Sequence, residues 1–140
     1  MSDGLGMAAS IAASGLHAQS VRLRVVSENL ANAQSTAKAS GGEPYARKIV
    51  SFAEMIDDAK GAARVRVSEI GTDSSPFRLE HEPGHPAANA EGYVLFPNVN
   101  MISEVADMRE ATRSYEANLQ MVRQARDMIS ATVDLLRTSR

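Results

Sequence analysis

Met101-Ile-Ser-Glu-Val-Ala-Asp-Met-Arg-Glu-Ala-Thr-Arg-Ser-Tyr-Glu-Ala-Asn-Leu-Gln-Met-Val-Arg-Gln-Ala-Arg-Asp-Met-Ile-Ser-Ala-Thr-Val-Asp-Leu-Leu-Arg-Thr-Ser-Arg140 contains neither Gly nor Pro. Nothing in it obliges a helix to stop. Met101, Val105, Met108, Thr112, Tyr115, Leu119, Val122, Arg126, Ile129, Val133 and Leu136 step along it by four and three without a slip. That is an a/d heptad seam, long enough to read as a coiled-coil face, with Thr112 and Arg126 as its polar breaks. At ~1.5 Å per residue the helix is about 57 Å long. A compact domain of this size is only ~30 Å across. Such a helix projects or lies against other long helices, and its seam asks for partners.

Working outward, residues 5–33 read as a second amphipathic helix. Ala9, Ala12, Leu16, Gln19, Leu23, Val26 and Leu30 step by three and four, and Ala8, Ala12, Ala13, Gly15 and Ala18 are small enough to let a neighbouring helix come close. Two seamed helices at the two ends of one chain predict an antiparallel pair. Between them the period changes. The Ser- and Gly-rich stretch 36–44 is a linker. Ile49, Val50 and Phe52, then Val65, Val67 and Ile70, then Phe77 and Leu79, then Tyr93–Phe96 are apolar runs with strand character. Lys60-Gly61, Gly71-Thr72-Asp73, Pro83-Gly84 and Glu91-Gly92 punctuate them as turns. The expected fold is α+β, with two long terminal helices forming an antiparallel coiled-coil-like pair and a small antiparallel β-domain inserted between them. The expected division is an N-terminal helix within 1–35, a linker at 36–44, a β-domain at 45–97 and a C-terminal helix within 98–140. Asn98 or Asn100 is placed to cap the last helix.

Composition narrows the function. The 140 residues carry a net charge of −2, with aromatic residues at 4% and no Trp. That charge gives no electrostatic footprint for nucleic acid. Residues 101–140 hold six Arg against six acids, the balanced face of an assembling coil. Cysteine is absent, so no thiol chemistry is available. The opening Met1-Ser-Asp-Gly-Leu-Gly lacks a basic segment and an unbroken apolar core, and does not read as a secretory signal. No stretch is long and apolar enough for direct membrane insertion.

One catalytic motif matches by letter. His81-Glu82-Pro83-Gly84-His85 fits H-E-x-x-H, which binds zinc when a helix presents both histidines on one face. Pro-Gly between the histidines makes a turn instead. The remaining histidine, His17, stands in the first helix. Asp57-Asp58 reads as a solvated loop pair. No nucleophile elbow or phosphate-cradling loop is present. No catalytic residue, metal ligand or cofactor is assigned, and the chain reads as a non-enzyme.

Two stretches carry more than periodicity. Asn29-Leu30-Ala31-Asn32 followed by Thr36, and Tyr115-Glu116-Ala117-Asn118, resemble the N- and C-terminal signatures of the bacterial flagellar axial proteins. Pro83-Gly84-His85-Pro86, with Glu91-Gly92-Tyr93 running to Asn98-Val99-Asn100, is similar to the loop that distinguishes proximal-rod subunits within that family. The likeness covers about residues 7–52 and 64–138. Pro44-Tyr45-Ala46-Arg47-Lys48 departs from it, since the family has Arg beside the Tyr.

The resemblance implies a structural subunit of the flagellar basal-body proximal rod, stacked helically through its terminal helices. Its implied partners are copies of itself, other rod subunits, the inner-membrane ring and rod adapter proteins. It also implies passage through the flagellar type III export apparatus without a cleaved signal, to the periplasm-spanning rod. The residues expected at the assembly interface are Leu16, Leu23, Val26, Asn29, Leu30 and Asn32 on the first helix. On the last they are Met108, Tyr115, Asn118, Leu119, Val122, Ile129, Val133 and Leu136. The three asparagines are read either as cross-subunit amides or as local caps. A soluble coiled-coil adaptor that dimerises through the same seams is the alternative.

Overall fold

A computed structural model describes residues 2–57 and 61–138. Helix α1 spans Ser2–Ala31 and helix α2 spans Met101–Thr138. Between them lie β1 (Lys48–Asp57), β2 (Ala62–Thr72), β3 (Arg78–His81) and β4 (Tyr93–Phe96). The α+β architecture with paired terminal helices is therefore observed. Part of the Lys60-Gly61 turn and of the Asp57-Asp58 pair lies outside the described residues.

The helices run antiparallel. Arg22 on α1 meets Asp107 and Glu110 on α2, Asn29 meets Glu104, and Gly15 meets Asn118. Each match moves down one helix as it moves up the other. On α2 the row that meets α1 is offset by one position from the aliphatic seam, whereas on α1 the contact takes in both seam positions and their neighbours. On α2 the buried residues are Glu104, Ala111 and Ala125, one heptad or two apart. On α1 they include Ala12, Ala18, Val25, Val26 and Asn29. Small side chains on the α2 row let the two backbones approach closely and pack at interior density. Leu16, Leu23, Leu30 and Leu119 are left half-buried along the flanks of the contact.

The middle of the chain is two separate ribbons rather than one four-stranded sheet. β1 and β2 pair antiparallel with a bulge between Ser51 and Phe52, where Ser68 is the extra residue. The Ser68 hydroxyl donates to the Ser51 carbonyl at 3.0 Å. The ribbon lies along α1. Lys48, at its base, bonds Asn29, while the Val65 amide, midway up β2, donates to Ser14 Oγ at 3.3 Å. Fifteen helical residues and seven strand residues both cover ~22–23 Å, so the two run side by side at matched length.

β3 and β4 are short and pair His81 with Tyr93 and Arg78 with Phe96. They pack on the linker rather than on either helix. Val94, Phe96 and Ala87 form a small core that Ala37 and Ala88 complete. The Gly41 amide donates to the Ala87 carbonyl at 3.2 Å, closing linker onto loop. Asn100 caps α2, accepting from the Ile102 and Ser103 amides at 3.0 and 3.2 Å. Asn98 serves elsewhere, as described below.

At Gly15 the side chain of Asn118 leaves no room for a Cβ. A Cβ built there would stand 2.7 Å from Asn118 Nδ2, whereas one at Gly6 meets nothing within 4 Å. Leu is a better helix former than Gly by up to ~1 kcal/mol, so propensity alone favours Gly15→Leu. Overpacking at a closed contact costs ~1–3 kcal/mol and outweighs it. Gly15→Leu is expected to lower the urea midpoint and Gly6→Ala to raise it. A rise in both would show that the helices do not meet at Gly15.

Candidate assembly interface

The interface candidates sit on a frame that one buried cluster holds in place. Glu104, in the first turn of α2, is fully buried. Arg47, the residue before β1, donates from Nε to Glu104 Oε1, and Asn29 donates from Nδ2 to Oε2 at 3.1 Å. Asn29 is itself 1% exposed, and all four of its hydrogen bonds are made. Its Nδ2 also donates to the Lys48 carbonyl at 2.9 Å, and its Oδ1 accepts from the Lys48 amide and the Tyr45 hydroxyl, each at 2.8 Å.

Arg47 extends the cluster outward. Its second nitrogen reaches Asp73 at 3.3 Å, and its amide donates to Asn98 Oδ1 at 2.8 Å. Asn98 in turn donates to the Asp73 and Ser75 carbonyls at 3.1 and 3.0 Å. Lys48 closes on Glu28 at 2.7 Å. One polar network thus ties the end of α1, the base of the first ribbon and the start of α2.

Charge is held firmly here. Burial works against the Arg47 guanidinium, but Glu104 and then Asp73 outweigh it and raise its pKa above the ordinary value. Burial raises the Tyr45 phenol. The Ser75 hydroxyl and amide, followed by Arg47, lower the Asp73 carboxyl. Hydrogen bonding to Lys48 lowers Glu28 and, reciprocally, raises Lys48.

The candidate interface residues run outward from this frame along both helices. Val26 and Asn29 are buried; Leu16, Leu23, Leu30, Asn32, Met108, Tyr115, Asn118, Leu119, Val122 and Ile129 are half-buried; Val133 and Leu136 are exposed. Asn32 bonds back onto its own helix, donating to the Glu28 carbonyl at 2.9 Å and accepting from Ser35 at 3.1 Å. Asn118 lies over Gly15. The first turns of α1 and the last turns of α2 leave an apolar groove of about 590 Å³ between Gly4, Leu5, Met128, Ile129, Thr132, Val133 and Leu136. At the other end of α2, Met101, Ile102 and Val105 form an exposed apolar patch, Ile102 being 84% exposed. Periodicity alone did not single out Ile102 or the ribbon residues Phe52, Met55 and Ile56, which are exposed as well.

The histidine motif forms the turn expected of it. His81 ends β3 and packs edge-on against Tyr93 at 4.9 Å. Pro83-Gly84 turns, and His85 Nδ1 accepts from the Ala87 amide at 3.0 Å. Among the described residues no three metal-ligating side chains gather, and no helix is long and apolar enough to cross a membrane.

The network makes acid stability testable. Asp73 and Glu28 have lowered carboxyl pKa values, so their contribution is complete above the ordinary carboxylate range near pH ~4. It is lost as pH falls through the lowered folded values. Stability is expected to be level from pH 7 to 5 and to fall below about pH 4. Asp73→Asn should flatten that acid limb relative to the parent; an unchanged limb would exclude Asp73 from the linkage.

Comparison with known proteins agrees with this geometry. Residues 10–37 match the profile described as flagella basal body rod protein, and residues 90–135 match that of the flagellar basal body rod FlgEFG protein C-terminal region. The chain is 53% identical to the flagellar basal-body rod protein FlgC of Agrobacterium fabrum, over 98% of this chain and 99% of that one. FlgC of Escherichia coli O6:H1 is 41% identical, over 89% of this chain and 92% of its own. FlgC of Bacillus subtilis is 40% identical, over 90% and 94%. With its two signature helices paired and its ribbons between them, the chain belongs to the FlgC family of flagellar basal-body rod proteins, structural subunits of the rod and not enzymes.

Proposed function

We propose that this subunit builds the proximal part of the rod by stacking helically on copies of itself and on other rod subunits through the faces of α1 and α2 left uncovered in the single chain. The observation that carries the reading is surface area. The chain exposes 9425 Å², about a third more than the ~7,000 Å² of a compact monomer of 15.0 kDa. A standard interface removes ~800 Å² from each partner, so the excess matches roughly three such contacts. Much of it is apolar, at the α2 patch, at the groove between the helix ends and on the first ribbon. Contiguous apolar surface of that kind marks interaction sites.

The interface on this reading comprises Leu16, Leu23, Val26, Asn29, Leu30 and Asn32 with Met108, Tyr115, Asn118, Leu119, Val122, Ile129, Val133 and Leu136. Val26 and Asn29 serve it from within, by holding the frame. The helical core, residues 1–35 and 98–140, is the assembling unit; residues 45–97 form the outer unit, joined through the 36–44 linker. Heterologous contacts whose rotation does not close on itself give an open helix rather than a ring. The inner-membrane ring and rod adapter proteins are the terminal partners. The type III export apparatus is the route of delivery to the periplasm-spanning rod.

Leu119→Asp tests the face. Leu119 is half-buried in the free chain, so the monomer still folds, but an unpaired charge sealed into an interface costs ~3–5 kcal/mol. Rods and motility are expected to fail while the purified monomer keeps its helical circular dichroism. Glu116→Gln, at an exposed position, should be nearly silent. Normally swimming Leu119→Asp cells would place the interface elsewhere. A stable dimer of the parent at low concentration would favour the soluble adaptor.

Helices are marginal without packing of their apolar face, and cover is uneven along this pair. Amide exchange in the dilute monomer is expected to be slowest around Asn29, Lys48 and Glu104. It should be fastest in Leu5–Ser10 and Met128–Thr138. Assembly should slow exchange at both helix ends together. Uniformly slow exchange in the free chain would mean that it covers its own faces.

A further inference from the structure

The Glu104–Arg47 pair sits where an alanine would pack. Its row on α2 continues as Ala111 and Ala125, both buried against α1. A small apolar residue at position 104 would complete that row with no charge to desolvate. Buried ion pairs gain little net stability over apolar residues of similar size, because desolvation cancels most of the attraction. What they can supply is a unique arrangement, as a single polar residue does at a coiled-coil core position.

We propose that Glu104 and Arg47 form a positioning lock that fixes the direction in which the β1–β2 ribbon leaves the helix pair, contributing a single arrangement rather than stability. The bonds have the directionality this needs. Glu104 is fixed from both sides, by Arg47 Nε on one oxygen and Asn29 Nδ2 on the other. Asn29 holds the amide and the carbonyl of Lys48 together, and the orientation of the Asn29 amide that does so is fixed in turn by Glu104. Asp73, one residue past β2, is tied to Arg47 through its side chain, and its amide donates to the Arg47 carbonyl at 2.8 Å. Both strands are therefore clamped at the base.

Further along, one directional bond to α1 remains, the Val65 amide to Ser14 Oγ at a long 3.3 Å, and the apolar packing around it carries no such demand. Phe52, Met55 and Ile56 point their exposed surface wherever the base aims them. In the rod the lock would determine which neighbouring copy the ribbon reaches, a consequence that rests on the assembly reading above. The lock itself is a property of the single chain.

The test exploits the absence of cysteine. Spin labels at Glu54→Cys on β1 and Glu116→Cys on α2, both exposed positions, report the ribbon-to-helix distance in the full-length monomer. The parent is expected to give one narrow distance. Arg47→Met combined with Glu104→Met keeps the volume and removes the charges. The double variant is expected to keep or raise the Tm while losing the single distance to a broad or split distribution. A single narrow distance in the double variant would overturn the lock. So would a broad distribution in the parent, or unfolding of the double variant, which would make the pair a source of stability instead. A parent chain that never enters rods would defeat the assembly reading and leave these distances unaffected.

Discussion

A carboxylate with no access to water has to be answered on every side, and the answer given to Glu104 organises this molecule. Its two oxygens are taken by residues from two other parts of the chain, Asn29 near the end of α1 and Arg47 before β1. Removing one partner of such a group strands the rest, because an uncompensated buried charge is far costlier than a lost hydrogen bond. The register of the helices, the start of the ribbon and the beginning of α2 are thereby a single condition. From that fixed point the helices run on with less and less to hold them, ending in turns where Leu135 and Leu136 are exposed.

That gradient is the link between fold and function. A self-sufficient monomer would use its large aliphatic residues to close its own core. Here the fully buried apolar positions are mainly Ala and Val, while Ile, Leu and Met are prominent among the exposed ones. The chain is well determined at one place and under-covered elsewhere, which suits a subunit completed by its neighbours. The same sequence as a free adaptor would have to leave those faces wet or close them in a dimer.

Much of this was legible in the sequence. The unbroken stretch from Met101 announced the long helix, and the paired seams announced its antiparallel partner. The turn at Pro83-Gly84 followed from the conformational preferences of those two residues. The polar network was not legible. Glu104 stands in a first helical turn, where an acid is ordinary, and nothing local marks it as buried. Asn29 was noticed through its motif, yet its bonds to Lys48, Tyr45 and Glu104 join residues 16 to 75 apart in sequence. Periodicity reports which face is apolar, and it is silent about which polar residue will be enclosed. The four strands were readable too, but their division into two ribbons depends on the linker packing that separates them.

The one-residue offset between seam and contact has a further consequence. A heptad pattern read on its aliphatic residues places the Leu16, Leu23 and Leu30 row of α1 against the Met108, Tyr115, Leu119 and Val122 row of α2. The structure turns α2 by one position, so that Glu104, Ala111 and Ala125 are buried in the contact and Gly15 lies against Asn118. On α2 both rows repeat every seven residues, so that helix carries two adjacent stripes with the same period. The narrow stripe allows close approach within the chain and uses little aliphatic surface to do so. The broad stripe remains at the edge of that contact, half-covered and continuous along the helix. A second helix laid into that edge would meet the aliphatic row in register, since any coil that matches one stripe matches the other. Assembly through the proposed face would therefore require no unpacking of the pair already made.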